Sequence, residues 1–143
     1  MQYLNEFLTI IIGAAVLLGV VAVWLIAQHF FMPTLEAVEN PDVTVSLTGS
    51  CGETMRISLK VEEGVIRSAS YFTDGCGPIS ACGAMATKLA INKTLDEAME
   101  TIDHETVAQA VGGLPEDKIH CAKLASETLQ EAIHRYMLSR RWT

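Results

Sequence analysis

Three cysteines, far apart in the chain and each flanked by glycine or histidine, carry the chemistry this sequence can do. Cys51 lies in Thr48-Gly49-Ser50-Cys51-Gly52-Glu53-Thr54-Met55, and Cys76 in Asp74-Gly75-Cys76-Gly77-Pro78. Cys121 ends Leu114-Pro115-Glu116-Asp117-Lys118-Ile119-His120-Cys121. Thiolates are soft ligands that suit zinc and iron–sulfur clusters. Glycines beside them allow tight turns and the close approach of a bulky inorganic group. Three thiolates on Zn(II) or Fe(III) leave one position for His120, Glu53 or an exogenous group. Such an open shell releases its occupant more readily than four thiolates would. The expectation is that the sulfurs of Cys51, Cys76 and Cys121 meet at one exposed pocket.

Each thiol has to be positioned by a turn or a helix end. Val43 to Thr48 alternates apolar and polar residues, and Thr54 to Val61 places Met55, Ile57, Leu59 and Val61 on one face. Glu62-Glu63-Gly64 reads as a hairpin turn, with a third strand over Val65 to Thr73. Cys51 then sits between the first two strands. Gly77-Pro78 suits a helix start, and a helix follows over Ile79 to Ile91. Thr94 with Glu97 forms a capping-box pattern, Asp103 with Thr106 a looser version, and Gly112-Gly113 closes that second helix. The last helix runs from about Cys121 to Arg140, with Leu124, Leu129, Ile133 and Met137 near helical spacing.

Cys76 thus precedes one helix N-terminus and Cys121 opens another, which predicts lowered pKa values for both thiols. Cys82, in the small-residue run Ser80 to Ala84, reads as a packed core residue; a fourth ligand or a persulfide relay is the alternative. His104 and His134 fall on helix surfaces, and His29 at a membrane interface.

Strands first and helices after give an α+β domain, a three-stranded antiparallel meander packed against C-terminal helices. A different kind of segment precedes it. Between Glu6 and Glu36 no charged residue occurs, and Phe7 to Phe31 exceeds the roughly 20 apolar residues that cross a bilayer. A cleaved signal peptide fits less well, because no basic region precedes the run. The chain therefore divides into a transmembrane helix at 1–32, a linker with breakers Pro33 and Pro41 at 33–42, and a domain at 43–143. All ten Lys and Arg lie from Arg56 onward, too far along to orient the span by charge. Four cysteines outside any small disulfide framework point to a reducing compartment, so the domain is expected to face the cytoplasm. A net charge of −7 argues against nucleic-acid binding.

Taken together, Gly-x-Cys-Gly-Glu around Cys51, Gly-Cys-Gly around Cys76 and Leu-Pro-x-x-Lys-x-His-Cys ending at Cys121 resemble the IscU/NifU-type iron–sulfur cluster assembly scaffolds. The resemblance covers roughly Gln28 to Tyr136. It implies that Cys51, Cys76 and Cys121 hold a nascent cluster, [2Fe-2S] or a resting Zn2+, assisted by His120 and Glu53. It also implies a cysteine desulfurase as persulfide donor, apo iron–sulfur proteins as acceptors, and no enzymatic turnover. The span extends the acceptors to a membrane redox complex. Three departures from the family pattern stand out. Glu53 replaces the usual aspartate, Leu114-Pro115-Glu116-Asp117-Lys118 differs from the usual chaperone-binding loop, and Met32-Pro33-Thr34-Leu35 stands where the family has Asn-Pro-Arg-Asn. A structural or electron-transfer subunit of a membrane complex, with Cys82 closing the shell, is the alternative; a zinc-bound sulfurtransferase is a third reading.

Overall fold

The computed structural model describes residues 1–31 and 37–142. The Pro33 breaker, the Met32 to Leu35 segment and the start of the 33–42 linker lie outside these residues, as does the side chain of His29. The chain forms two compact units, Met1–Thr34 and Leu35–Thr143.

The first unit is one helix, α1 (Gln2–Phe31), with no acidic residue in its first turn. Its Gln2–Ala27 stretch has a mean hydropathy of 2.9 and none of it is buried within the protein. Twenty-six residues at 1.5 Å each make about 39 Å of helix, more than the ~30 Å hydrocarbon core of a bilayer.

The second unit is α+β, as the alternation and periodicity predict. Strands β1 (Val43–Thr48), β2 (Thr54–Glu62) and β3 (Val65–Thr73) form an antiparallel sheet in the order β1-β2-β3. The register aligns Val45 with Ile57 and Ile57 with Tyr71. It therefore puts Val45, Met55, Ile57, Leu59 and Ala69 on one buried face. The β2–β3 turn is tight because Glu63 (φ 53°) and Gly64 (φ 78°) both take left-handed backbone, as a type I′ turn requires.

Helix α2 (Gly77–Ala90) lies against β3, with Ile79, Cys82, Gly83, Ala86 and Ala90 turned inward. The short helices α3 (Leu95–Thr101) and α4 (His104–Ala110) are capped as expected. Thr94 accepts a hydrogen bond from the Glu97 amide, and Asp103 from the Thr106 amide. The capping box at Thr94 is only half made, because the Glu97 carboxylate bonds the Lys93 ammonium at 2.6 Å instead. After a 3-10 turn (Glu116–Lys118), the long helix α5 (Ile119–Arg141) crosses the sheet and buries Cys121, Leu124, Ala125, Leu129, Ala132, Ile133 and Tyr136. It begins two residues before Cys121 rather than at it.

Cys82 is fully buried in this core. Burial, and secondarily the neighbouring Cys121 charge, push its thiol up to about 11. The unfolded thiol ionises near 9.0, so the folded chain keeps its proton longer. The stability this contributes is complete below that pH and is lost as pH climbs through about 11. Chemical denaturation across this alkaline range should show wild type losing about 2–3 kcal/mol relative to Cys82→Ala. Parallel pH profiles for the two proteins would contradict it.

Candidate metal centre

Three loops at one end of the sheet carry the candidate ligands. The β1–β2 loop holds Cys51. The Gly49 amide donates to the Glu53 carbonyl at 2.8 Å, and the Gly52 amide to the Gly49 carbonyl at 3.0 Å. Gly52 has φ +83°, a conformation that side chains disfavour, so the loop can turn this sharply only there. The Thr48 and Thr54 hydroxyls, 3.2 Å apart, pin the base of the loop. Cys51 at its tip is exposed.

The β3–α2 turn holds Cys76. The Asp74 carboxylate accepts from the Thr54 amide at 2.7 Å, and the Thr73 hydroxyl donates to the Thr54 carbonyl at 2.8 Å. That hydroxyl also accepts from the Gly75 amide at 3.1 Å. The start of β2 and the entry to α2 are thereby tied together. Cys76 is the N-cap residue of α2, with extended backbone, and its thiol makes no capping bond. It too is exposed.

Glu53 bridges the two loops. Its carboxylate oxygen accepts from the Cys76 amide at 3.4 Å. The carboxylate lies so close over Gly75 that a Cβ there would stand 3.0 Å from Glu53 Cδ and press into Ile79 Cγ2. A residue placed on sequence grounds as a ligand is therefore also the part that couples the Cys51 and Cys76 loops.

The third segment is the start of α5. The Lys118 amide donates to the Pro115 carbonyl at 2.9 Å, closing the 3-10 turn that delivers the chain to the helix. His120 Nε2 lies 3.5 Å from Cys121 Sγ. Ligand atoms of Glu53, His120 and Cys121 all fall within 4.8 Å of one another. Cys51 and Cys76 stand outside that tight group, on the loops beside it. Carboxylate, imidazole and thiol converging here, with two further thiols at hand, make a donor set suited to zinc or iron.

Two expectations need correction at Cys121. It is not exposed: only 1% of its surface reaches solvent, because the first turn of α5 packs onto the domain core. Nor is its thiol made more acidic by the helix end. Burial raises its pKa above the ordinary value, the Glu53 carboxylate and Cys76 raise it further, and Cys51 adds a smaller contribution. The Lys118 ammonium opposes them without prevailing. Burial first, and the Glu53 carboxylate after it, outweigh a helix end whose influence is worth only about 0.3–1 kcal/mol. The signal was present in the sequence, since Cys121, Ala125, Thr128 and Ala132 form one helical stripe that is buried throughout. The Glu53–Cys76 contact had no such signal, because it joins two loops 23 positions apart.

An α+β domain with two cysteine-bearing loops and a cysteine in the first turn of a helix at one end of its sheet defines a class of small thiolate-rich metal-handling proteins. Residues 25–142 match the NifU-like N terminal domain, and the chain belongs to that family. It is 42% identical over 112 residues to the iron-sulfur cluster assembly scaffold protein IscU 1 of Archaeoglobus fulgidus, covering 76% of this chain and 72% of that one. It is 39% identical over 101 residues to the iron-sulfur cluster assembly scaffold protein IscU of Azotobacter vinelandii, covering 68% of this chain and 77% of that one. The crystal structure of a putative iron-sulfur cluster assembly scaffold protein for the SUF system from Fervidobacterium islandicum shares the fold. Its TM-score is 0.57 at 18% identity, over 71% of this chain and 88% of that chain.

The raised Cys121 pKa carries the pH dependence of metal binding beyond the ordinary thiol value. A thiol that ionises above its ordinary value must surrender a proton before it can bind metal, so Zn2+ affinity should rise with pH. Cys121 alone should contribute about tenfold per pH unit through the neutral range. Competition titrations with a zinc indicator should show Cys121→Ser losing that increment of slope. An unchanged slope would mean that Cys121 gives up no proton to the metal.

Proposed function

We propose that this protein is an IscU-type scaffold on which an iron–sulfur cluster is assembled, tethered to a membrane by α1. The observation that carries the reading is the convergence of Glu53, His120 and Cys121 within 4.8 Å, beside the Cys51 and Cys76 loops, in a chain of this family. The cluster is cargo. Cys51, Cys76 and Cys121 hold it, and His120 or Glu53 takes the one remaining position. Relatives that bear the scaffold name support a role in assembly rather than turnover.

The placement of the ligands divides the labour among them. Cys51 and Cys76 are exposed and so accessible to a sulfur donor; a cysteine desulfurase supplies sulfur as a persulfide, which an attacking thiolate takes over. Cys121 is buried and anchors the cargo from beneath. Before loading, Cys121 is held protonated by burial and by Glu53. Positive charge arriving with iron relieves that repulsion, and the same carboxylate stands ready to compete for iron when an acceptor approaches. With one non-thiolate position, a [2Fe-2S] cluster is bound firmly enough to form and loosely enough to leave for an apo acceptor. Cys82 takes no part, since it lies wholly within the core and its thiol resists ionisation.

The membrane reading rests on the apolar, unburied Gln2–Ala27 stretch. With all four cysteines free, the domain belongs on the reducing, cytoplasmic side. Delivery would then take place at the membrane surface, to acceptors held there.

Anaerobic reconstitution with iron and sulfide tests the ligand set. Cys51→Ala, Cys76→Ala and Cys121→Ala should each retain less than about a tenth of the wild-type iron and acid-labile sulfide, whereas Cys82→Ala should retain all of it. Loaded wild type should also pass its cluster to an apo-ferredoxin, followed in the acceptor's visible spectrum. Cluster loss in Cys82→Ala, or a cluster that never leaves, would sink the scaffold assignment.

A further inference from the structure

The solvent face of the sheet is unlike the rest of this acidic chain. The chain carries 17 acidic residues, yet the three strands hold a single one, Glu62, at the hairpin end beside Arg67. Across the face run Arg56, Ser58, Lys60, Ser70 and Phe72, with Arg56 opposite Phe72 and Ser58 opposite Ser70 in the β2–β3 register. Phe72 is 60% exposed, the largest side chain on this side of the sheet, and the Arg56 guanidinium lies over its ring at 5.8 Å. An exposed aromatic ring stacked on a cation, among strand hydroxyls, with Glu62 at the hairpin end and Glu39 on the overlying segment as its nearby acidic residues, has a composition that can meet lipid headgroups.

The incoming chain is fastened to this same face. The Val38 amide donates to the Ser70 hydroxyl at 3.4 Å, and the Lys60 ammonium donates to the Asn40 carbonyl at 3.2 Å. Ala37 and Val38 wall a groove of about 300 Å³ whose other side is Arg56, Ser58, Ser70 and Phe72. Val38 is only seven residues beyond Phe31, the last residue of α1. Seven residues reach at most about 25 Å when fully extended. If α1 spans a bilayer, this face of the sheet stays within that reach of the lipid surface.

We infer that the Arg56/Lys60/Phe72 face of the sheet is a docking surface for anionic phospholipid headgroups. The inference rests on the membrane-anchor reading of α1 and adds to it an orientation for the domain. Arg56 and Lys60 attract the headgroup phosphates, each cation near the surface adding to the attraction, and the Phe72 ring enters the interface. The loops of Cys51 and Cys76 lie at the end of the sheet and not on this face, so docking leaves them open to donor and acceptor proteins. A tethered domain that tumbled freely would offer its cargo in every direction; a docked one offers it along the membrane.

Full-length chain with p-benzoylphenylalanine in place of Phe72 is reconstituted into vesicles of phosphatidylcholine, with or without phosphatidylglycerol, floated and illuminated. The expected result is flotation in both cases, with at least about fivefold more lipid adduct when phosphatidylglycerol is present. That gain should vanish in the Arg56→Glu, Lys60→Glu double variant, which floats equally well. Flotation with no lipid adduct, with adducts to protein only, or with adducts indifferent to lipid charge would overturn the docking surface while leaving the anchor standing. Failure of the chain to float would overturn the anchor, and the docking surface with it.

Discussion

The proposed centre is governed by one constraint, the burial of a thiol beside a carboxylate with almost no water to screen it. Cys121 is 1% exposed, and Glu53, Cys76 and Cys51 all raise the cost of ionising it. Lys118 lowers that cost, and it does not compensate. Such a corner is in electrostatic deficit until something positive enters. A buried thiolate beside a carboxylate repays its desolvation only when metal-bound, which is the condition under which metal binding and proton release become the same event.

The fold serves this constraint through its loop ends. The sheet and α5 supply the rigid parts, and the ligand-bearing turns are bonded to one another and to the strands. The Asp74 and Thr73 bonds to Thr54 hold the Cys76 turn against the beginning of β2. Glu53 then reaches across to the Cys76 amide. Two exposed thiols on bonded turns over one buried thiol on a helix give a centre with an open side and a closed side. Cys51 and Cys76 face solvent, and Cys121 faces the core.

Much of this was legible from residue order, and the parts that were not share a cause. Strands β1 to β3 follow from period-two alternation, and Asp103 and Thr94 mark their helix starts by capping chemistry that acts within four residues. Cys82 in its run of small residues correctly reads as core. What escaped was through-space: the Lys93 ammonium that diverts Glu97 from the cap, the Glu53–Cys76 bond between loops, and the burial and the Glu53 carboxylate that raise the Cys121 thiol. Local pattern carries information about an element's own backbone and face. It carries little about which charges another element will bring alongside. That Glu53 and His120 stand by Cys121 was approachable from residue types and family resemblance, and the structure supplies the geometry.

Counting the sulfurs around a bound metal is the most direct test of the centre. X-ray absorption at the zinc edge, on the full-length chain loaded with one equivalent of Zn2+, separates sulfur from lighter ligands by their bond lengths, roughly 2.3 Å against 2.0–2.2 Å. The account predicts three sulfurs from Cys51, Cys76 and Cys121 with one nitrogen or oxygen. A shell of four sulfurs would bring Cys82 out of the core and into the site, and a shell of two or fewer would dissolve the three-loop centre; either contradicts it.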